Sequence, residues 1–186
     1  MISKLLAILG KIKLILPQLI NLLKTLQSTK KNMQTALTNN SLERKNFKFS
    51  EFIHSDTANK LGIDNNPNLS QLTCGMKTAD KAQEIRDVTD IPMLITSGFR
   101  CKDLNTAVGG SPVSKHMQFL AIDFNFKGLT PNEGVYLIKK SGVSVDKCFV
   151  ERCCIHVQFC MNDADNKNFF GTAQKVDGNW IVKELE

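Results

Sequence analysis

The most regular alternation of apolar and polar positions lies at the start of the chain. Ile2, Leu9, Leu16 and Leu23 recur every seven residues, and so do Leu5, Ile12, Leu19 and Leu26. Such an a/d seam predicts an amphipathic helical extension over residues 1–28 that packs on a partner helix. Leu6, Ile8, Ile15, Ile20 and Leu22 widen the stripe beyond a simple coiled coil. Lys11 and Lys13 interrupt any run long enough to cross a bilayer, and Pro17 is expected to kink the helix. Three roles stay open for this segment: self-association, a membrane-surface helix with basic flanks, or packing on the domain itself. No small-x-small site follows at the distance a cleaved signal peptide requires.

Residues 29–46 are polar and read as a linker. A folded domain is expected over 47–186. In "FSEFIHSDTANKLG", Ser50 is the expected N-cap of a short helix that Gly62 closes. Leu69, Leu72, Met76, Ala79, Ala82, Ile85 and Val88 mark a long amphipathic helix. "IPMLITSGF" and "FLAIDFNF" read as strands, with one or two helical turns at 103–108 between them. Thr130, Pro131 and Glu133 form a helix-start signature, and Gly142 a stop. "KCFVERCCIHVQF" reads as two strand pieces about a turn, and "TAQKVDGNWIVKEL" as a hairpin around Asp177-Gly178. Helices followed by a mostly antiparallel sheet define an α+β domain with flanking helices.

Charge changes this picture in one respect. The chain of 186 residues carries a formal charge of +6. Nine Lys/Arg and a single acid fall within 1–48, which leaves 15 basic and 17 acidic residues beyond. The basic character belongs to the extension, and no aromatic residues interleave it, so nucleic-acid binding is not expected. The six cysteines contain no CxxC pair, which removes a four-thiolate zinc site. A core of this size does not need disulfides, and reduced thiols are expected.

Candidate chemistry comes from polar residues in apolar surroundings. Arg100 follows a strand, His116 sits in a loop, Asp123 lies between Ile122 and Phe124, and His156 alternates with Ile155 and Val157. Singly, each has an ordinary reading as a surface arginine or a hydrogen-bonded core residue. Together they suit a zinc ion, which takes three His or carboxylate ligands and keeps one position open for catalysis. A cation would also remove the cost of burying Asp123. His116, Asp123 and His156 are the candidate ligands, Glu151 a general base, and Arg100 a grip for a substrate carboxylate or a developing oxyanion.

"SKHMQFLAIDF" resembles the Ser-x-His-x-x-Gly-x-Ala-x-Asp motif of the zinc D-Ala-D-Ala carboxypeptidases, which cut bacterial cell-wall peptides. Ser114, His116, Ala121 and Asp123 fall on it. "ITSGFRCKDLNTAVGGSPVSKH" is similar to the family's upstream stretch, with Arg100, Asn105 and Gly109-Gly110, and "FVERCCIHVQF" to its second motif. "FKFSEFIHSDTA" is similar to the opening of short, phage-encoded members. The resemblance covers about residues 47–160. It implies the hedgehog/DD-peptidase fold and Zn2+ held by His116, Asp123 and His156. Glu151 would be the catalytic base, Arg100 the residue that stabilises the scissile carbonyl, and Ser114 a substrate contact. It implies the peptidoglycan stem peptide as substrate, with synthesis in the bacterial cytoplasm and action at the wall. The motif's glycine is Phe119 here. A phenylalanine held at positive φ would strain the loop, and its ring would narrow the groove. That departure keeps a non-catalytic metal-binding wall-attachment or phage structural module as the alternative. His54 matches nothing in the pattern and reads as a helix-surface residue.

Overall fold

The computed structural model describes residues 13–29, 31, 43–176 and 179–185. Residues 13–29 are helical through Pro17 (α1), and the seam positions Leu16, Leu19, Leu23 and Leu26 are exposed. The seam's first half, most of the expected linker and the Asp177-Gly178 turn lie outside the described residues. No described helix is long and apolar enough to cross a membrane.

Met1–Asn40 and Ser41–Glu186 form separate compact units. The second is an α+β domain whose folded contacts begin before Phe47: Arg44 Nε donates to Asp80 at 2.6 Å, and Gln83 Oε1 accepts from Asn46 N at 2.9 Å. Its helices are α2 (Phe49–Ile53), α3 (Asp56–Leu61), α4 (Leu69–Thr89), α5 (Lys102–Ala107) and α6 (Pro131–Ser141). Its strands are β1 (Met93–Ser97), β2 (Ala121–Phe126), β3 (Lys147–Glu151), β4 (Cys154–Gln158), β5 (Phe169–Val176) and β6 (Asn179–Glu184). They form one sheet in the order β1-β2-β4-β3-β5-β6. Every pairing is antiparallel except β3 with β5, so the sheet is mixed.

Local chemistry explains most element ends. Asn68 and Gln71 form a reciprocal capping box on α4, and Thr130 and Glu133 do the same on α6. The expected single helix after Phe47 is two. Lys48, not Ser50, holds the first N-cap position, where its N–H donates to Glu51 Oε1. The chain then breaks at His54, and Ser55 caps α3 before Gly62 ends it in the left-handed region. Ser55 suits that second cap because its Oγ accepts from Ala58 N at 3.2 Å.

The strands bury two different faces. Ile122, Val157, Cys148 and Phe170 stand in register across β2, β4, β3 and β5, and all are buried. Phe124, Ile155 and Val150 continue that face one rung away. Helix α6 lies on it closely enough that a β-carbon at Gly134 would collide with Ile155 and Phe126. Helix α4 contributes Leu72, Ala79, Ala82 and Ile85 to the same core. Its buried stripe also runs through Gly75, Thr78 and Lys81, while Leu69, Met76 and Val88 are exposed. The Phe119 ring packs over Gly75 in this stripe, where a β-carbon would lie 2.6 Å from it.

The opposite face carries polar groups. Ser97, Asp123, His156 and Phe149 are partners in register across β1, β2, β4 and β3. Side chains alternate along a strand, so Cys154, Gln158, Glu151 and Lys147 share this face with them. It floors an open cavity of about 680 Å³.

Candidate metal centre

His116 reaches the cavity from a 3₁₀ turn, Lys115–Gln118, that connects α5 to β2. Ser114 starts the turn, and its Oγ accepts from His116 N at 3.3 Å. The left-handed Phe119, at φ 61°, ends it. The segment after β1 comes close to α2 at Gly98, where any β-carbon would meet the Phe52 carbonyl. That approach presents the Gly98 carbonyl oxygen to His116 Nδ1 at 2.6 Å. A carbonyl only accepts, so Nδ1 carries the proton and Nε2 keeps its lone pair. Asn65 straps the same segment, donating to Ile53 O and Phe99 O and accepting from Cys101 N.

Three buried ligand atoms meet at one point: His116 Nε2, Asp123 Oδ1 and His156 Nδ1 all lie within 4.8 Å of one another. Nε2 is 3.2 Å from Oδ1 and 3.3 Å from His156 Nδ1, and the third edge is 2.7 Å. A tetrahedral zinc site with bonds of about 2.0–2.1 Å spaces its ligands by about 3.3 Å. Two edges match that spacing, and the carboxylate–His156 edge is tighter. The donor set, one carboxylate and two imidazoles with both remaining ring nitrogens directed away, fits zinc. Without a cation, three acceptors facing one another are mutually repulsive unless a proton lies between them.

Arg100 Nη2 donates to Asp123 Oδ2 at 2.8 Å, and Nε donates to Ser97 Oγ at 3.0 Å. The arginine therefore holds the carboxylate oxygen that does not face the histidines, and it lines the cavity as well. Glu151, the last residue of β3, lines the same cavity. Its carboxylate makes no hydrogen bond or ion pair among the described residues. A two-residue turn brings it opposite Cys154 on the shared face, with Arg152 at φ 57°. Ser114 also lines the cavity, besides capping the turn that carries His116. All the residues picked out in the sequence thus converge on one cavity. His54, which fitted no motif, stands at its rim with Nε2 3.1 Å from Asp56.

Phe119 gives no narrowing of the groove. Its ring is fully buried in the core against Phe99, centroids 5.3 Å apart, and its carbonyl accepts from Thr78 Oγ1 at 2.7 Å. The positive φ is as expected for that motif position. The neighbours missed in the sequence are Ser97, Gly98 and Phe149, whose ring stacks on His156 at 4.7 Å and 30°. Only strand register reveals them.

All six cysteines are free. Burial pushes the Cys154 thiol up to about 12, with nearby Asp123 adding to the shift, so it stays protonated beside the site. Burial would also raise Asp123, but once acid protonates the neighbouring imidazoles, the charge of His116 and the N–H groups of both histidines hold it well below the usual 3.8. Burial lowers His116 below 6.5 against the pull of Asp123. Both shifts act in the same direction on the metal-free protein. Below 6.5 the unfolded chain takes up a proton at His116 that the folded chain resists. The stability from Asp123 is present above 3.8 and lost as pH falls through its folded value. The melting temperature of metal-free protein is therefore expected to fall steadily as the solution is acidified from neutrality. A melting temperature independent of pH in the histidine range would contradict the buried, neutral His116.

A family model described as Peptidase M15 matches residues 45–158. No curated protein sequence matches the chain.

Proposed function

Because the chain belongs to the peptidase M15 family, zinc metallopeptidases of the D-Ala-D-Ala carboxypeptidase type, we propose that it hydrolyses D-Ala-containing peptides of bacterial peptidoglycan. The reaction is removal of a terminal D-Ala or cleavage of a D-Ala cross-link. The observation that carries this reading is the buried convergence of His116 Nε2, Asp123 Oδ1 and His156 Nδ1 on the floor of an open cavity.

Zinc held by these three residues would supply Lewis acidity, making water a nucleophile at neutral pH and polarising a carbonyl oxygen. The other roles belong to the chain. Glu151, with a carboxylate that nothing else engages, takes the proton from the attacking water and returns it to the departing amine nitrogen. Arg100 is anchored by Asp123 and Ser97 and directs its remaining N–H groups at the carbonyl oxygen that gains charge. Ser114 contacts the substrate backbone. Lys115, Lys147 and Arg152 join Arg100 around the cavity, which favours a peptide ending in a carboxylate. The Phe119 ring lies in the core and does not narrow the groove, which favours the catalytic reading over a non-catalytic module. The expected place of action is the bacterial wall, reached from the cytoplasm by lysis or through delivery by another protein.

Purified peptidoglycan incubated with the protein should release D-Ala or opened cross-links, identified by mass, and a zinc chelator should abolish both. Zinc bound at one ion per chain with neither product formed would overturn the peptidase reading and leave a metal-binding module.

A further inference from the structure

His116 has its tautomer set by the Gly98 carbonyl, but His156 has no backbone oxygen at its outer nitrogen. Its Nε2 instead faces the side-chain oxygen of Gln158, at 3.5 Å. Gln158 lies two residues further along β4, hence on the same face of the sheet. The other end of its amide, Nε2, donates to Asp146 Oδ2 at 2.6 Å. Asp146 immediately precedes β3, and its N–H donates to Gln158 O at 2.9 Å, so the two residues are tied by backbone as well as side chain.

The order of these groups suits one arrangement once a cation replaces any proton between His156 Nδ1 and Asp123 Oδ1, which lie 2.7 Å apart. A carboxylate only accepts, so Asp146 takes the NH2 end of the amide and turns Oε1 away from itself. Oε1 also only accepts, and the group it faces is an imidazole nitrogen. That contact is favourable only when His156 Nε2 carries the proton. Nδ1 then keeps its lone pair, and Nδ1 is the atom that converges with His116 Nε2 and Asp123 Oδ1. Stacking on Phe149 restricts the plane of the same ring.

Asp146 has no other evident purpose. It is 5 % exposed, and its Oδ1 has no hydrogen-bond partner among the described residues. A buried carboxylate left half satisfied is costly. An asparagine of the same size would cost less, but it could reverse together with Gln158 and offer His156 an N–H in place of an oxygen.

We propose that Asp146 and Gln158 form an outer relay that biases His156 toward the Nε2–H tautomer and so prepares Nδ1 to bind the metal. They are positioning residues and touch no substrate. The inference rests on the metallopeptidase reading of the site, but part of its test needs no metal. Only His54, His116 and His156 contribute imidazole signals. A long-range proton–nitrogen correlation spectrum of the metal-free protein at mildly alkaline pH should show a larger share of the Nε2–H tautomer of His156 in wild type than in Gln158→Met. Equal shares in the two proteins would overturn the proposal. Zinc affinity, read by competition with a chromogenic chelator, should fall about 10–100-fold in Gln158→Met, which keeps the volume and loses the acceptor. Asp146→Asn should give a smaller loss and a mixture of His156 tautomers. Zinc affinity within twofold of wild type in a folded Gln158→Met protein would also overturn it. If wild type binds no zinc while its Nε2–H share still exceeds that of Gln158→Met, the metal centre fails and the relay stands.

Discussion

Glu151→Gln is expected to lower peptide hydrolysis by about 10²–10⁴-fold, the usual worth of a positioned general base, while zinc content stays near one ion per chain. The substitution keeps the shape of the side chain and removes its basicity. None of the three converging ligand atoms comes from Glu151, so metal binding has no reason to change. Register places Glu151 two residues beyond Phe149, the residue opposite His156, so the carboxylate borders the site without joining it. Its freedom from other partners matters chemically, since a carboxylate already paired to an arginine would be a poor base. The loss should fall on kcat, with KM little altered, because the proton moves only on the way to the transition state. A variant that keeps its zinc and hydrolyses peptidoglycan within a few-fold of wild type would remove Glu151 from the mechanism.

The second large effect concerns stability. Restoring the glycine of the motif, as Phe119→Gly, is expected to destabilise the metal-free protein by about 2–4 kcal/mol. Emptying a fully buried phenylalanine site costs about 3–5 kcal/mol, and release of the left-handed backbone at φ 61° returns about 1 kcal/mol. Gly75→Ala tests the same contact from the helix. In wild type its β-carbon would lie 2.6 Å from the Phe119 ring, and the overpacking costs about 1–3 kcal/mol. With the ring gone, alanine should instead stabilise α4 by about 0.5–1 kcal/mol. Denaturant unfolding of the two single variants and the double variant completes a cycle, in which strong non-additivity is the expected result. Additive effects would mean that the ring does not rest on Gly75.

The same pair shows where reading the sequence stops. The spacing Ser114, His116, Ala121, Asp123 is local, and the turn and strand that carry it form as local patterns require. Thr130-Pro131 and Gly142 likewise fixed α6 because caps act within a few residues. Whether Phe119 faced the groove or the core depended on Gly75, 44 positions earlier, and neither residue announces the other. On α4, Leu72, Ala79, Ala82 and Ile85 are buried as their spacing requires, but Leu69, Met76 and Val88 are exposed while Gly75, Thr78 and Lys81 are buried. The Ser50 cap fails for a local reason: α2 already begins at Phe49, where the Glu51 side chain closes back on the Lys48 N–H. Strand pairing is also non-local: the parallel β3–β5 match had no signature, and neither did Gln158 against Asp146. The site residues were legible because zinc chemistry demands unusual letters in apolar strands. Their supports were not, because carbonyls, aromatic rings and amides are ordinary letters that acquire meaning from register.

Strand β4 shows what this arrangement leaves to inheritance. Ile155 and Val157 face the core, and Cys154, His156 and Gln158 face the cavity. One pentapeptide thus carries two interleaved messages, one for folding and one for chemistry, on alternate letters. A lineage can rewrite the chemical letters while the folding letters stay in place. The fold can therefore outlast its activity and be recruited to another without first being lost.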